Sequence, residues 1–220
     1  MNKDKELLKL SKLRQQTRYN GYTSIGDYQN GIWECDFVSP YSKSSHNSDS
    51  DILVFLQDWC SSDSFNNSIC QETLRLGYTP NVRTNVNLKN LLKKHFKKNL
   101  EDIYSTNLFP YIKPGSMSAK IPAADLYRAA KQFAVPMIDI VQPKIVICLG
   151  KETFNALRKA CGLKVVYSID EGINSDFMYK KSRIFCQCHT SQQAQNKRNR
   201  GGINRVDSDW VLMNKEYLLM

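Results

Sequence analysis

Asp51-Ile52-Leu53-Val54-Phe55-Leu56-Gln57-Asp58 reads as a buried strand that runs into a carboxylate. Six residues from Asp51 to Leu56 form the strand, and the polar stretch 57–67 follows as a loop. Two later stretches have the same form. Asp102-Ile103-Tyr104 leads to Thr106-Asn107, and Arg183-Ile184-Phe185-Cys186 leads to His189-Thr190-Ser191. Apolar runs of this length, separated by helical patterns, predict an α/β protein with a mainly parallel sheet. In such sheets the ligand crevice lies at the carboxyl ends of the strands. An Asp, an Asn and a His delivered there can activate water, read a planar polar ring and hold a developing negative charge.

Outward from these strands, an amphipathic helix is expected over 3–18, with Leu7, Leu8, Leu10 and Leu13 on one side. Residues 19–50 read as loop. Asn87 is placed to cap a helix carrying Leu88, Leu91, Leu92 and Phe96, with Lys93, Lys94, Lys97 and Lys98 toward water. Pro122 suits a helix start, and Pro136 is expected to kink or interrupt that helix. Residues 144–149 predict a strand ending at Gly150, and 151–160 a helix stopped by Gly162. Residues 167–178 read as loop or edge structure, 183–188 as the last strand, and 209–219 as a terminal helix. The expectation is one domain over 1–220: an N-terminal helix and loop extension over 1–50, then a catalytic core over 51–220. Its architecture is a three-layer α/β/α sandwich with a short, mainly parallel central sheet.

The 220 residues carry 31 Lys and Arg against 21 Asp and Glu, a net charge of +10. That balance suggests a polyanionic partner, nucleic acid before a membrane face; a lysine-rich proteome is the bland alternative. The seven cysteines include no C-x-x-C pair, so neither a zinc site nor an iron–sulfur site is announced, and reduced thiols are expected. No charged segment followed by an apolar core opens the chain, and no apolar run is long enough for a bilayer. The expected location is the cytoplasm, with no membrane partner.

Each candidate has a plain alternative. Asp58 is either an exposed turn carboxylate or a group that orients water and offsets a cationic transition state. Asn107 either makes a turn before Pro110 or offers a donor and an acceptor in one plane to a base edge. His189 is structural or donates to a developing oxyanion. Gln192 to Gly202, with Gln193, Lys197, Arg198 and Arg200, is either a solvated charged loop or a flexible segment that grips phosphates. Gly150-Lys151 is not a phosphate loop, because the upstream glycine of that motif is missing.

Taken in order, these clusters resemble the uracil-DNA glycosylase superfamily. Gln57-Asp58 resembles the Gln-Asp of its water-activating motif. Pro80 followed by Asn87-Leu88-Lys89-Asn90-Leu91-Leu92 resembles its proline-containing DNA loop and following helix. Thr106-Asn107-Leu108 resembles the strand end that carries its base-reading Asn, residues 142–150 resemble its late Pro-Lys strand and glycine, and His189-Thr190-Ser191 resembles its His-Pro-Ser motif. The resemblance spans roughly residues 50–212. Where relatives have Gly-Gln-Asp-Pro-Tyr, this chain reads Leu56-Gln57-Asp58-Trp59-Cys60, and the Tyr that closes uracil-specific pockets against C5 substituents is Cys60. Thr190 replaces a proline, and Gln193 falls near the apolar wedge of some members. Phe65 and Tyr78 are the candidates for the aromatic that stacks on the base.

The resemblance implies a monofunctional DNA glycosylase, a hydrolase that turns a non-standard pyrimidine out of the stack and excises it, leaving an abasic site. Asp58 would position water, His189 would donate to base O2 with help from the Gln57 backbone, and Asn107 would read the base edge. Cys60 and Phe65 would shape the base pocket; Pro80, Ser191, Gln193, Lys197, Arg198 and Arg200 would hold DNA. No metal or organic cofactor is implied, and the chain is expected to act as a monomer. The room left by Cys60, with Ser61-Ser62-Asp63-Ser64 and Asn66-Asn67 nearby, points to C5-modified cytosine, including glucosylated hydroxymethylcytosine, as a phage-defence enzyme would need. Ordinary uracil repair, a non-catalytic DNA-binding protein on the same fold, and an enzyme acting on a small nucleotide are the alternatives.

Overall fold

The computed structural model describes residues 2–66 and 68–220, without the side chain of Asn66. Five strands form one sheet: β1 (Ile52–Asp58), β2 (Tyr104–Phe109), β3 (Ile145–Leu149), β4 (Phe177–Tyr179) and β5 (Ser182–Gln187), in spatial order β2-β1-β3-β5-β4. The pairs β1–β2, β1–β3 and β3–β5 are parallel, and β4 is an antiparallel edge. β1 leads to a neighbour on one side and β3 lies on the other, so the crevice opens beyond the end of β1. β1 is apolar on both faces because both are covered. Leu53 and Phe55 pack with Val146, Cys148 and Ile184 in one layer; Ile52, Val54 and Leu56 pack with Ile147, Leu149 and Phe185 in the other.

The helices α1 (Lys3–Gln16), α4 (Ala123–Ala129), α5 (Val135–Val141) and α6 (Lys151–Ala160) cover the first face; α3 (Arg83–Leu91) and α9 (Arg205–Leu218) cover the second. Shorter helices are α2 (Gln71–Leu76), α7 (Ile169–Ile173) and α8 (Gln192–Arg198). Among the described residues no helix is long and apolar enough to cross a membrane.

Several local expectations are corrected. α1 buries Leu7, Leu10, Ser11 and Arg14, the i, i+3, i+4, i+7 stripe, and leaves Leu8 and Leu13 exposed. Arg14 sits fully buried because its guanidinium is spent inside the protein: it pairs with Glu34 and donates to the carbonyls of Cys35 and Phe37 at 3.0 and 2.8 Å. β1 runs two residues further than expected, so Asp58 is its last residue. α3 begins at Arg83, not Asn87, and the Asn87 amide instead donates to the Thr190 carbonyl at 2.9 Å. Pro136 does not break its helix; a π turn over Ala130–Ala134 joins α4 to α5, and the proline sits in the first turn of α5, where its missing N–H costs little. The segment 192–202 is not a loop throughout, since α8 occupies its first seven residues.

Residues 19–50 form short 3₁₀ turns but no α-helix or strand, and eleven of them are buried. Tyr19 and Val38 join the first apolar layer, and Tyr41 joins the second. Ser44 donates to the Leu76 carbonyl at 2.7 Å and Lys43 to that of Leu74 at 2.9 Å, so this segment grips the end of α2. Gly77 terminates α2 at φ +79°, and a Cβ there would stand 1.7 Å from the Pro40 carbonyl oxygen. Gly77→Ala is expected to cost on the order of 3 kcal/mol, from backbone strain plus a clash that neither chain can evade. Urea titration would read it as a lowered midpoint with an unchanged slope.

Candidate active site

The end of β1, the Asn107 position of β2 and the turn after β5 line one cavity of about 950 Å³, with Asp58, Asn107 and His189 all on its wall. Register explains the convergence. Asn107 lies beside Leu56 in the parallel pair, and Asp58 stands two residues beyond Leu56. Side chains two apart on a strand share a face, so the amide and the carboxylate project the same way. His189 is two residues past the end of β5.

Asp58 is neither an exposed turn residue nor a free carboxylate. Its Oδ2 meets Lys113 Nζ at 2.8 Å, with both side chains more than nine-tenths buried. Its Oδ1 accepts from Gln57 Nε2 at 3.0 Å. Lys113 also donates to the Met117 carbonyl at 2.6 Å. Asn107 is buried and held by the N-terminal segment: Ser39 Oγ donates to its Oδ1 at 2.6 Å while accepting from the Tyr41 amide at 3.3 Å. Nδ2 of Asn107 is thereby left for an acceptor atom in the cavity.

His189 accepts a hydrogen bond on Nδ1 from the Ser191 amide at 3.1 Å. A ring that accepts on Nδ1 carries its proton on Nε2 when neutral. Burial pushes its pKa below the ordinary imidazole value, against a smaller upward pull from Asp58. The ring is thus a neutral Nε2–H donor on the cavity wall. Gly150, at φ +98°, brings its backbone to His189: a Cβ there would be 3.9 Å from that of His189.

Cys60 lines the cavity, and burial raises its thiol pKa, so it stays neutral and small. Tyr78 and Tyr41 form an aromatic wall, ring centroids 5.3 Å apart. Phe65 does not share that wall; it stacks on Tyr28 at 4.1 Å and 12° and joins a cluster with Trp33 and Trp59. Of the polar run after Cys60, Ser64 reaches the cavity, and Ser61 is buried beside it at 3.3 Å. Asn67 and the Asn66 side chain lie outside the described residues.

The expected DNA contacts divide. Gln193, Lys197 and Arg200 are exposed on or just after α8. Pro80 lies in the turn between α2 and α3, whose Thr79 and Val82 border the cavity. Ser191 caps α8, accepting from the Ala194 amide at 3.3 Å. Arg198 is placed differently from expectation: it holds Asp209 through two bonds of 2.8 and 3.0 Å and also pairs with Asp170. Its cation is already neutralised between α7, α8 and α9, so its role is to join them.

Lys113, Ser39 and Tyr41 are site residues that sequence reasoning missed. A single Lys between Tyr111-Ile112 and Pro114, in an otherwise buried stretch, was the available signal for the first. Among the described residues no group of three or more His, Cys, Asp or Glu is placed to hold a metal ion.

A buried carboxylate, a neutral imidazole donor and an oriented amide at the switch point of a parallel sheet define a site for polar, planar chemistry at a strand crevice. The model of the uracil DNA glycosylase superfamily matches residues 64–210, and the chain belongs to that superfamily. The match contains Asn107 and His189; Gln57 and Asp58 lie just before it. No curated protein matches the chain. Members are DNA glycosylases, hydrolases that act on the bond between base and sugar.

Protonating His189 would place a second N–H against the Ser191 amide and turn the ring away from its aim. Because burial keeps the neutral form to lower pH, single-turnover excision is expected to stay level down through pH 6.5 and fall only below it. An acid limb centred at or above 6.5 would remove the neutral-donor assignment.

Proposed function

We propose that this chain excises a flipped-out, C5-modified cytosine from DNA by hydrolysis, with glucosylated hydroxymethylcytosine in phage DNA as the intended target. The observation that carries the reading is the cavity itself. At about 950 Å³ it is near the upper end of ligand pockets, about 300–1,000 Å³, and larger than a bare pyrimidine requires. Cys60 stands on its wall where a bulky ring would close it, and Ser64 offers a hydroxyl to a substituent.

In this mechanism cleavage builds positive charge on the sugar and negative charge on the departing base, as in other glycosyl hydrolyses. Asp58 holds water and offsets the sugar's charge, with Gln57 fixing one carboxylate oxygen. His189 Nε2–H donates to base O2. Asn107 Nδ2–H donates to N3 of a cytosine, or to O4 of a uracil. The product is an abasic site and a free base. Lys197, Arg200 and Gln193 serve the DNA backbone and the vacated stack. The cytoplasm is the compartment proposed, in keeping with seven unpaired cysteines and with defence against incoming phage DNA.

Incubation with duplexes carrying uracil, hydroxymethylcytosine or glucosylated hydroxymethylcytosine, followed by detection of the released base, tests this reading. Release of the glucosylated base supports it, and Cys60→Tyr is expected to suppress that release. Uracil release with none from modified DNA selects ordinary uracil repair instead. Asp58→Asn is expected to lower excision about a hundredfold or more while DNA binding persists. Turnover near normal in that variant would take Asp58 out of the chemistry.

The basic residues near α8 separate by a second measurement. Lys197→Ala with Arg200→Ala is expected to weaken binding to all sequences alike and to reduce the salt slope by about one per lost phosphate contact. Arg198→Ala is expected to lower thermal stability instead, because it strands Asp209 in a buried position.

A further inference from the structure

The hydrolytic reading gives Lys113, a buried group on the cavity wall, no chemical step. Lys113 presents a primary amine to the same carboxylate that would hold the attacking water, at 2.8 Å, the distance such a water would take. Its placement is built. Ile112 and Thr23 exchange backbone hydrogen bonds of 2.9 and 3.3 Å, and the Ser62 amide donates to the Lys113 carbonyl at 2.9 Å. The residue is 3% exposed and lines the cavity.

We propose that Lys113 gives this enzyme a second activity, an abasic-site lyase that acts through a Schiff base on C1′ of the sugar. The inference rests on the reading of the cavity as a site for the nucleotide whose sugar faces Asp58. An amine nucleophile needs to lose its proton, and a nearby base or a desolvated setting supplies that. Here Asp58 Oδ2 stands 2.8 Å from Nζ, within hydrogen-bond reach, and is the group placed to accept that proton.

The steps balance without an oxidant or reductant. Lys113 Nζ passes a proton to Asp58 and attacks the aldehyde carbon C1′ of the opened abasic sugar, giving a carbinolamine. Asp58 returns its proton to the carbinolamine hydroxyl, which leaves as water, and an iminium forms beside the restored carboxylate. Asp58 then takes a proton from C2′. The C3′–O3′ bond breaks, its electron pair leaving with the 3′ phosphate, and a C2′=C3′ double bond forms. Water hydrolyses the iminium and releases Lys113. The strand is cut on the 3′ side of the abasic sugar.

Borohydride reduction of the whole protein mixed with pre-formed abasic duplex tests this without depending on which base is excised. The expected result is a covalent protein–DNA species whose modified peptide contains Lys113, together with scission of unreduced DNA at the abasic position. Lys113→Arg keeps a cation opposite Asp58 but has no comparable nucleophile, and it is expected to lower trapping at least tenfold in protein whose thermal melting shows it folded. Mapping on the unaltered protein decides the matter even if the variant fails to fold. Binding of abasic DNA without any trapped species overturns the inference alone. An adduct on another amine, or undiminished trapping in folded Lys113→Arg, overturns it too. Failure to bind abasic DNA removes the underlying reading of the site along with it.

Discussion

The Asp58–Lys113 ion pair is the constraint around which the site is assembled. An ionised carboxylate moved from water into a protein interior loses several kcal/mol of solvation even after relaxation, and only a well-placed partner with further hydrogen bonds restores it. Asp58 has such a partner in Lys113 and a second donor in Gln57; Lys113 has the Met117 carbonyl as well. Meeting that demand fixes three stretches of chain that are far apart in sequence. The end of β1 brings the carboxylate, the segment after β2 brings the ammonium, and the turn at 61–64 holds that segment through Ser62 and Gly115.

A second wall depends on the N-terminal residues. Ser39 orients Asn107, Tyr41 faces the cavity and bonds Asn85 at 3.1 Å, and the carbonyl of Gly77, pressed against Pro40, receives the Trp59 indole N–H at 2.8 Å. The buried Arg14 explains why this irregular chain holds its course: it satisfies the carbonyls of Cys35 and Phe37 just before Ser39. An irregular segment is tolerated inside only when its backbone polar groups are paired. Residues that sequence reading sets aside as an extension are therefore part of the binding wall.

The sheet was legible because burial on both faces leaves an unmistakable composition, as in Ile52 to Leu56 and Ile145 to Leu149, and the polar residues that end such runs stand out. Asp58, Asn107 and His189 were readable for that reason. Lys113 was not, because one Lys in a loop has no pattern and its partner lies 55 positions away. Phe65 and Arg198 misled for a related reason. Residue type announces what a side chain can do, an aromatic to stack or a cation to hold phosphate. Tyr28 and the carboxylates of Asp170 and Asp209 had already claimed those capacities. The face of α1 misled because Arg14, charged and buried, occupies the stripe that Leu13 was expected to extend.

The charge balance of the cavity joins these threads. The chain is strongly cationic, yet the pair at the centre of the site is neutral as a whole, and burial keeps both His189 and Cys60 uncharged. Long-range attraction to a polyanion is thus a property of the outer surface, while the buried part of the cavity offers oriented dipoles and one compensated pair, with the exposed Lys120 and Glu152 also on its lining. An uncharged base can reach the buried end of such a cavity without stripping solvent from a free ion there. In the proposed mechanism, charge that develops on bond cleavage meets fixed donors in a low-dielectric setting, where they act more strongly than in water. A bare Asp58 would offer stronger attraction to a cationic sugar but would cost more to bury. Pairing it with an amine lowers that cost and, by the same contact, holds a primary amine beside the carboxylate on the cavity wall.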